Sequence, residues 1–498
     1  MNSNLKGHLK KVFLVMIWII ISLGVYQCGV SLPDHSRDIE EETDDGSQSP
    51  EPDYSEKLPF DKAVRILIMA QDFKGIYHYE LKITCSEGML IECGGKVSEY
   101  EPDSQYILDC NDLKADEHIV ITGRNEGRLQ IENIGRNSPA QYRGKLECYA
   151  QTDGIVVVNE LSVEDYLYGV VPSEMPSSYP EEALKAQAIC ARTYTYFHKQ
   201  NYAYPQWKAN MDDSTAFQVY MNCAEDSRAC QAVDDTKDQV LTYKDAIVQS
   251  FYYSTSGGMN GGAGVWKDKL TEEDAYLKET GNEIYAANND EGEAAFKAYI
   301  DNGNPEDVEY GEAWYRWKYE KTLDTKAVKN ILGRLYSMSL SQPQKVRIRS
   351  QCLSAEKLKE EDTIADIRIL NRRKSGLVTA IMIETEHFRV SVMSQHTIRQ
   401  ALGCDGDTVI KKDGTSYAMG DILPSAYFYI QKGYDNNGES GDNLNQIIIY
   451  GAGLGHGCGM SQNGAKCLAN RGLTAAEILA YYYNGSVKSV GELVTDNG

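Results

Sequence analysis

The amino-acid sequence predicts an α+β fold, with helices and short β-strands mixed around a substrate groove. Three observations predict it. From Val64 to about Glu160 the chain reads as short β-rich runs separated by Gly, Asp and Asn turns. After Val163 the apolar spacing changes to that of helices. The first sixty residues hold one apolar run and one acidic stretch, and neither can build a core.

The apolar run is Val12 to Val25, preceded by Lys6, Lys10 and Lys11. Positive charge on that side keeps the N-terminus inside and sends the chain outward. Residues 1–30 therefore read as a signal peptide or a retained membrane anchor. An anchor gives a membrane-bound ectodomain outside the cytoplasm; cleavage gives a protein secreted to the wall. Tyr26 and Gln27 are too bulky to make Cys28 a lipid-attachment site. Residues 31–60, rich in Asp, Glu, Ser and Pro, read as an extended, disordered linker.

Residues 61–160 form the β-rich module, in the runs VRILIMA, YELKITC, HIVITG, GRLQIENI and GIVVVNEL. This module reads as scaffold. The chain has 12 cysteines. In an exported protein some of these pair, and Cys85 with Cys93 and Cys223 with Cys230 are close enough in sequence to do so. The alternative is buried reduced thiols. No Cys/His group has zinc spacing.

The formal charge of −23 excludes a nucleic-acid partner, which needs a basic surface, and a basic membrane-binding patch. It is compatible with neutral glycans. The 34 tyrosines against 9 phenylalanines suit a glycan groove, where ring faces carry a polar tip, but do not assign one.

Residues 161–490 hold the candidate chemistry. LSVEDYLYGVVPSEMPSSYPEEALKAQAICARTYTYFH opens with a short helix, breaks at a loop, and enters a long helix. Pro180 suits its first turn, and Glu181 and Glu182 complement its positive end. Leu184, Ala188, Ala191 and Thr195 share a face that can pack closely. Lys185 and Arg192 share another, about 10 Å apart along the axis, and read as solvated basic residues. Glu174 falls in the expected loop, bracketed by Pro172 and Pro176, with Val170, Val171 and Met175 able to desolvate it. Such a carboxyl suits general acid catalysis; an exposed loop carboxylate or a helix cap is the plainer reading.

Two further stretches stand out. QSFYYSTSGG ends an apolar strand in Ser254, Thr255 and Ser256 followed by glycines, a place where backbone can approach a ligand or simply turn. No His and acid complete a serine triad nearby. GAGLGHGCGMSQNGA is too glycine-rich for regular structure and should display His456, Ser461 and Gln462 on a compact loop. Thr474 and Glu477 then form a capping box for a helix reaching Tyr483.

VEDYLYGVVPSEMPSSYPEEALKAQAICARTY, QSFYYSTSGG and GHGCGMSQNGA resemble the signature regions of the stage II sporulation protein D family, the SpoIID/LytB domain. AWYRWKYEKTLDTKAVKNIL and SGLVTAIMIETEHFRVSVMSQHTIRQALG resemble its central order more loosely. The resemblance spans roughly Val64 to Val490. It implies a lytic transglycosylase acting on peptidoglycan strands, with Glu174 as catalytic acid. It places Lys185, Gln187, Arg192, Ser254, Ser256, His456 and Gln462 at site-lining positions. Some members hold zinc through cysteines before a Gln-x-Tyr motif. Here MDDSTAFQVY has none before Gln218, so the expectation is no cofactor and no metal. The acidic stretch near 276–312 reads as an insertion. The alternatives are a non-catalytic glycan-binding activator of a cell-wall amidase, to which older naming of the family points, and a metal-dependent hydrolase, which the missing ligands disfavour.

Overall fold

The computed structural model describes residues 63–114, 116–434 and 444–495. The expected anchor and linker, residues 1–60, lie outside the described residues. Among the described residues no helix is long and apolar enough to cross a membrane. The chain divides into two compact units. One runs to Ser250 and takes back the segment from Ser486; the other is Phe251–Gly485. Both mix sheets and helices, as the α+β expectation requires.

The first unit is built on a seven-stranded sheet. Its order is Met211–Asp212, Val64–Ile68, Gly154–Leu161, Lys145–Gln151, His118–Gly123, Met89–Cys93, Lys96–Tyr100. The Met211–Asp212 strand pairs parallel to Val64–Ile68; the other neighbours are antiparallel. Gly154–Leu161 is buried at all but one position, as a strand covered on both faces must be. Leu67, Met69, Val156, Val158, Trp207 and Val219 pack together as a core cluster. Glu80–Thr84 alternates half-buried and buried, and belongs to a separate four-stranded sheet. Helices Val163–Glu174, Glu181–His198 and Ser227–Asp235 pack on one another.

The structure corrects three readings of this unit. Glu174 is not in a loop: it is the last residue of helix Val163–Glu174, which contains Pro172. Proline costs a helix most in its interior, because its missing N–H would bond four residues back; at the third residue from the end little helix remains beyond it. Arg192 is not solvated but fully buried, in a helix buried around most of its circumference. The proposed disulfides are absent, since Cys85, Cys93, Cys223 and Cys230 are all free thiols. Cys93 Sγ donates instead to Glu117 at 3.1 Å, and Cys85 is buried beside Gly127.

The second unit carries a five-stranded sheet in the order Ser416–Ala418, Thr408–Lys411, Trp317–Thr322, Leu444–Gly451, Phe428–Tyr434. A four-stranded antiparallel sheet, Val346–Arg349, Arg389–Met393, Val378–Glu384 and Asp366–Arg372, lies in the same unit. A short parallel pair, Tyr252–Tyr253 with Met460–Ser461, joins the serine-rich and glycine-rich stretches. The capping box at Thr474 and Glu477 is present and starts helix Ala475–Tyr482.

Candidate functional site

Glu174, Lys185, Gln187 and Arg192 lie in the first unit; Ser254, Ser256, His456 and Gln462 lie in the second.

Glu174 is half-buried at its helix end. Its Oε1 accepts the backbone N–H of Val219 at 2.7 Å. Val219 belongs to the loop after Met211–Asp212, and that loop lies along the helix. Met221 N–H donates to Gly169 O at 3.3 Å. Asn222 and Cys223 N–H groups donate to Ser173 Oγ at 3.1 and 3.2 Å. Ser173 Oγ donates in turn to Gly169 O at 2.7 Å. Gly169 makes this approach possible, because a Cβ there would fall 2.5 Å from both Met221 Sδ and Tyr220 Cε2. The loop and helix thus fix the direction of the carboxyl.

Glu174, Asp212 and Asp213 all act on the buried Tyr166. Asp212 is fully buried, accepting from Tyr204 Oη at 2.7 Å and Ser214 N–H at 2.8 Å. Asp213 is fully buried and accepts from Arg136 at 2.7 Å and Met69 N–H at 2.9 Å. Burial pushes Asp213 up to about 6, against the pull of Arg136 and the Met69 bond. Burial also raises the Tyr166 and Tyr194 phenols, with the Glu174 and Asp212 charges adding to it. Tyr166 Oη has no hydrogen-bond partner. Asp212 and Asp213 carried no sequence signal beyond their place in MDDSTAFQVY. In this chain both carboxylates are already spoken for by Tyr204, Ser214, Arg136 and Met69. Among the described residues no group of three or more His, Cys, Asp or Glu is arranged to hold a metal ion.

Gln187 is fully buried, and neither its amide oxygen nor its nitrogen has a partner. A buried amide left so costs free energy unless water or a ligand meets it. Arg192 is a clamp. Its guanidinium takes Glu164 through two bonds of 2.8 Å, Val233 O at 3.0 Å, and Gln239 O and Thr236 Oγ1 at 3.3 Å. These ties join three helices and the following strand, a use suited to the planar five-donor fork. Lys185 pairs with Glu181 at 2.5 Å and Asp235 at 3.1 Å, and the Glu181 bond above all raises its pKa.

In the second unit the two motif stretches are interlocked. Asn463 N–H donates to Ser254 O at 2.9 Å. Ser256 N–H reaches Ser461 Oγ at 3.2 Å, and Ser256 Oγ closes its own turn through Met259 O and Gly258 N–H. His456 has both ring nitrogens occupied: Nε2 meets Tyr252 O at 3.0 Å and Nδ1 accepts Cys458 N–H at 3.1 Å. Burial, with Arg399 nearby, pushes its pKa down to about 3, so the ring is neutral and holds the loop closed. Ser461 and Gln462 are buried rather than displayed. The reason is local: Ser461 caps helix Gln462–Asn470 through Gly464 N–H, and that helix begins at Gln462 itself.

The expected insertion supplies a residue that sequence reasoning missed. Glu309 is 3% exposed. Its Oε1 accepts Ser461 Oγ–H at 2.6 Å and Ser256 N–H at 2.8 Å, so it sits between the two motifs. The acidic run around it resembled a solvated face and hid it.

Comparison with known proteins gives a consistent picture. The family model described as Stage II sporulation protein matches residues 151–243. An uncharacterized protein of Brachyspira hyodysenteriae is 27% identical over 69% of this chain and 71% of its own length. Stage II sporulation protein D of Bacillus subtilis is 26% identical over 66% of this chain and 75% of its own. The amidase enhancer of Bacillus subtilis is 26% identical over 64% of this chain, which spans only 40% of that relative.

Proposed function

The chain belongs to the stage II sporulation protein family, the match resting on residues 151–243, and from that premise we propose that it is a lytic transglycosylase that cleaves peptidoglycan glycan strands outside the cytoplasmic membrane, in cell-wall remodelling tied to sporulation. One observation carries this reading. Of the carboxyls gathered at the end of helix Val163–Glu174, Asp212 and Asp213 are fully buried and Glu174 alone is half-open, with one oxygen fixed by Val219 N–H.

One carboxyl is enough for this chemistry, whereas hydrolysis ordinarily takes two. Glu174 as the acid gives its proton to the glycosidic oxygen as the C1–O bond breaks. As the carboxylate it then takes the proton of the sugar's own C6 hydroxyl, whose oxygen bonds to C1. The product ends in a 1,6-anhydro sugar, Glu174 is an acid again, and no water is consumed. The nucleophile is tethered to the substrate, which supplies the proximity advantage without a second bound reactant. The test is Glu174→Gln, which keeps size and hydrogen bonding. Turnover on purified wall falls by a factor of about a hundred or more while folding is unchanged, the usual scale of general acid catalysis. Unchanged turnover removes Glu174 from the chemistry.

A second reading rests on the relative named an amidase enhancer. In it the chain binds glycan and stimulates a cell-wall amidase without cleaving. Then Glu174→Gln leaves the stimulation of a purified amidase intact, and no anhydro ends form with the wild type.

A further inference from the structure

Strand Val346–Arg349 ends the four-stranded sheet of the second unit, with Arg389–Met393 on one side and, among the described residues, no strand on the other. Side chains alternate between the faces of a strand. Those of Val346 and Ile348 turn to the core, and those of Arg347 and Arg349 stand exposed. Arg349 lies directly opposite Arg389. Like charges so placed cost stability, and the sheet supplies no anion to join them. Glu384 Oε1 already takes Arg368 at 2.7 Å and Arg389 at 3.1 Å, and Asp366 takes Lys432 and Arg368. Among the described residues Arg347 and Arg349 meet no carboxylate. The face is open to solvent, since Arg389 beside them is 73% exposed.

The backbone of this edge is open too. Met393 N–H donates to Lys345 O at 2.8 Å. By the alternation of an antiparallel ladder, residues 345, 347 and 349 turn their peptide groups to Arg389–Met393, and Val346 and Ile348 turn theirs outward. Gln342 O takes Val346 N–H at 3.0 Å. Ile348 N–H and C=O bond to nothing among the described residues. On the core face Ile348 ends an apolar row that runs through Val390, Ile383 and Ile367. Those three are fully buried, whereas Ile348 is half-open.

These features describe a place for a fifth strand. Such a strand sets carboxylates opposite Arg347 and Arg349, about 6.8 Å apart on one face. Between them, on the other face, it sets an apolar side chain opposite Ile348, and its backbone exchanges both bonds with Ile348. A phosphate polymer meets the arginines but uses neither the Ile348 backbone nor its side chain. A second copy of Val346–Arg349 brings arginine against arginine, so the charges that attract a partner also oppose self-pairing. We propose that Val346–Arg349 is a docking edge for an extended acidic peptide of a partner protein, with carboxylate, apolar and carboxylate residues in succession, added as a strand. This is independent of the chemistry at Glu174.

The test titrates the full chain calorimetrically with the acetylated, amidated pentapeptide Thr-Glu-Val-Glu-Thr. Its Val faces Ile348, so N-methylating that Val removes a bond to Ile348 O and weakens binding about tenfold or more. N-methylating the first Glu, whose N–H points away from the edge, leaves affinity unchanged. Arg347→Gln combined with Arg349→Gln weakens the parent peptide about tenfold or more. The same variant melts at an unchanged or higher temperature, because the repulsion from Arg389 is relieved. No binding at millimolar peptide overturns the proposal. Equal affinity for the parent and Val-methylated peptides also overturns it, because it means a surface that any polyanion fills. Affinity unchanged in the double variant does the same.

Discussion

Glu174 and Glu309 are each gripped by a backbone N–H, from Val219 at 2.7 Å and from Ser256 at 2.8 Å. Their surroundings then diverge. Glu174 ends a helix, half-open, with buried Asp212 and Asp213 behind it. Glu309 is buried under two motif loops, and burial holds its proton up to about 8. The difference teaches that a carboxyl's chemistry is set by what it can reach. A half-open acid can exchange its proton with a substrate and regain it; a buried one can only hold it and donate a hydrogen bond.

The comparison can be broken from the support side first. Glu174's helix is held by the buried Arg192–Glu164 pair at its first turn. Arg192→Met leaves Glu164 without its partner and should cost about 3 kcal/mol of stability, read by urea unfolding. A loss near zero would mean that the clamp does not hold the helix. The support of Glu309 is lighter. Ser461→Ala removes a helix cap and a bond to the carboxyl, and should cost about 1–2 kcal/mol.

The pH behaviour sharpens the contrast. Glu309 binds its proton more tightly folded than unfolded, so between its ordinary value of 4.5 and about 8 the folded state holds the extra proton. Stability from this group is therefore full below about 4.5 and falls as pH rises towards 8. One proton gives a slope of at most about 1.4 kcal/mol per pH unit. Urea unfolding of Glu309→Gln should lack this slope relative to wild type; parallel curves would show that Glu309 ionises freely. Smallest of all, Lys185→Gln breaks half-exposed ion pairs to Glu181 and Asp235 and should change stability by under about 1 kcal/mol.

What was legible in sequence follows the same division. Period and caps are local, so the strands of the first sheet, the long helix after Pro180 and the Thr474 capping box could be read directly. Glu174 stood out as a candidate because a carboxyl between prolines and apolar residues is unusual, but its place on a helix was not legible: Pro172 reads as a break. Asp212, Asp213 and Val219 act through contacts across long stretches of chain, which spacing does not encode. Arg192 looked like any basic residue on a helix until Glu164 and Val233 closed around it. Glu309 was hidden most completely, because an acidic run predicts solvation and one of its members was drawn inward by Ser461 and Ser256.

The most direct test of the central claim is mass spectrometry of the soluble products from purified peptidoglycan, with wild type and Glu174→Gln side by side. Single-acid chemistry at Glu174 yields 1,6-anhydro ends, one water lighter than a hydrolysed end, from wild type and almost none from the variant. Reducing ends from wild type would mean hydrolysis and a second carboxylate or held water, and anhydro ends from Glu174→Gln at the wild-type rate would contradict the assignment outright.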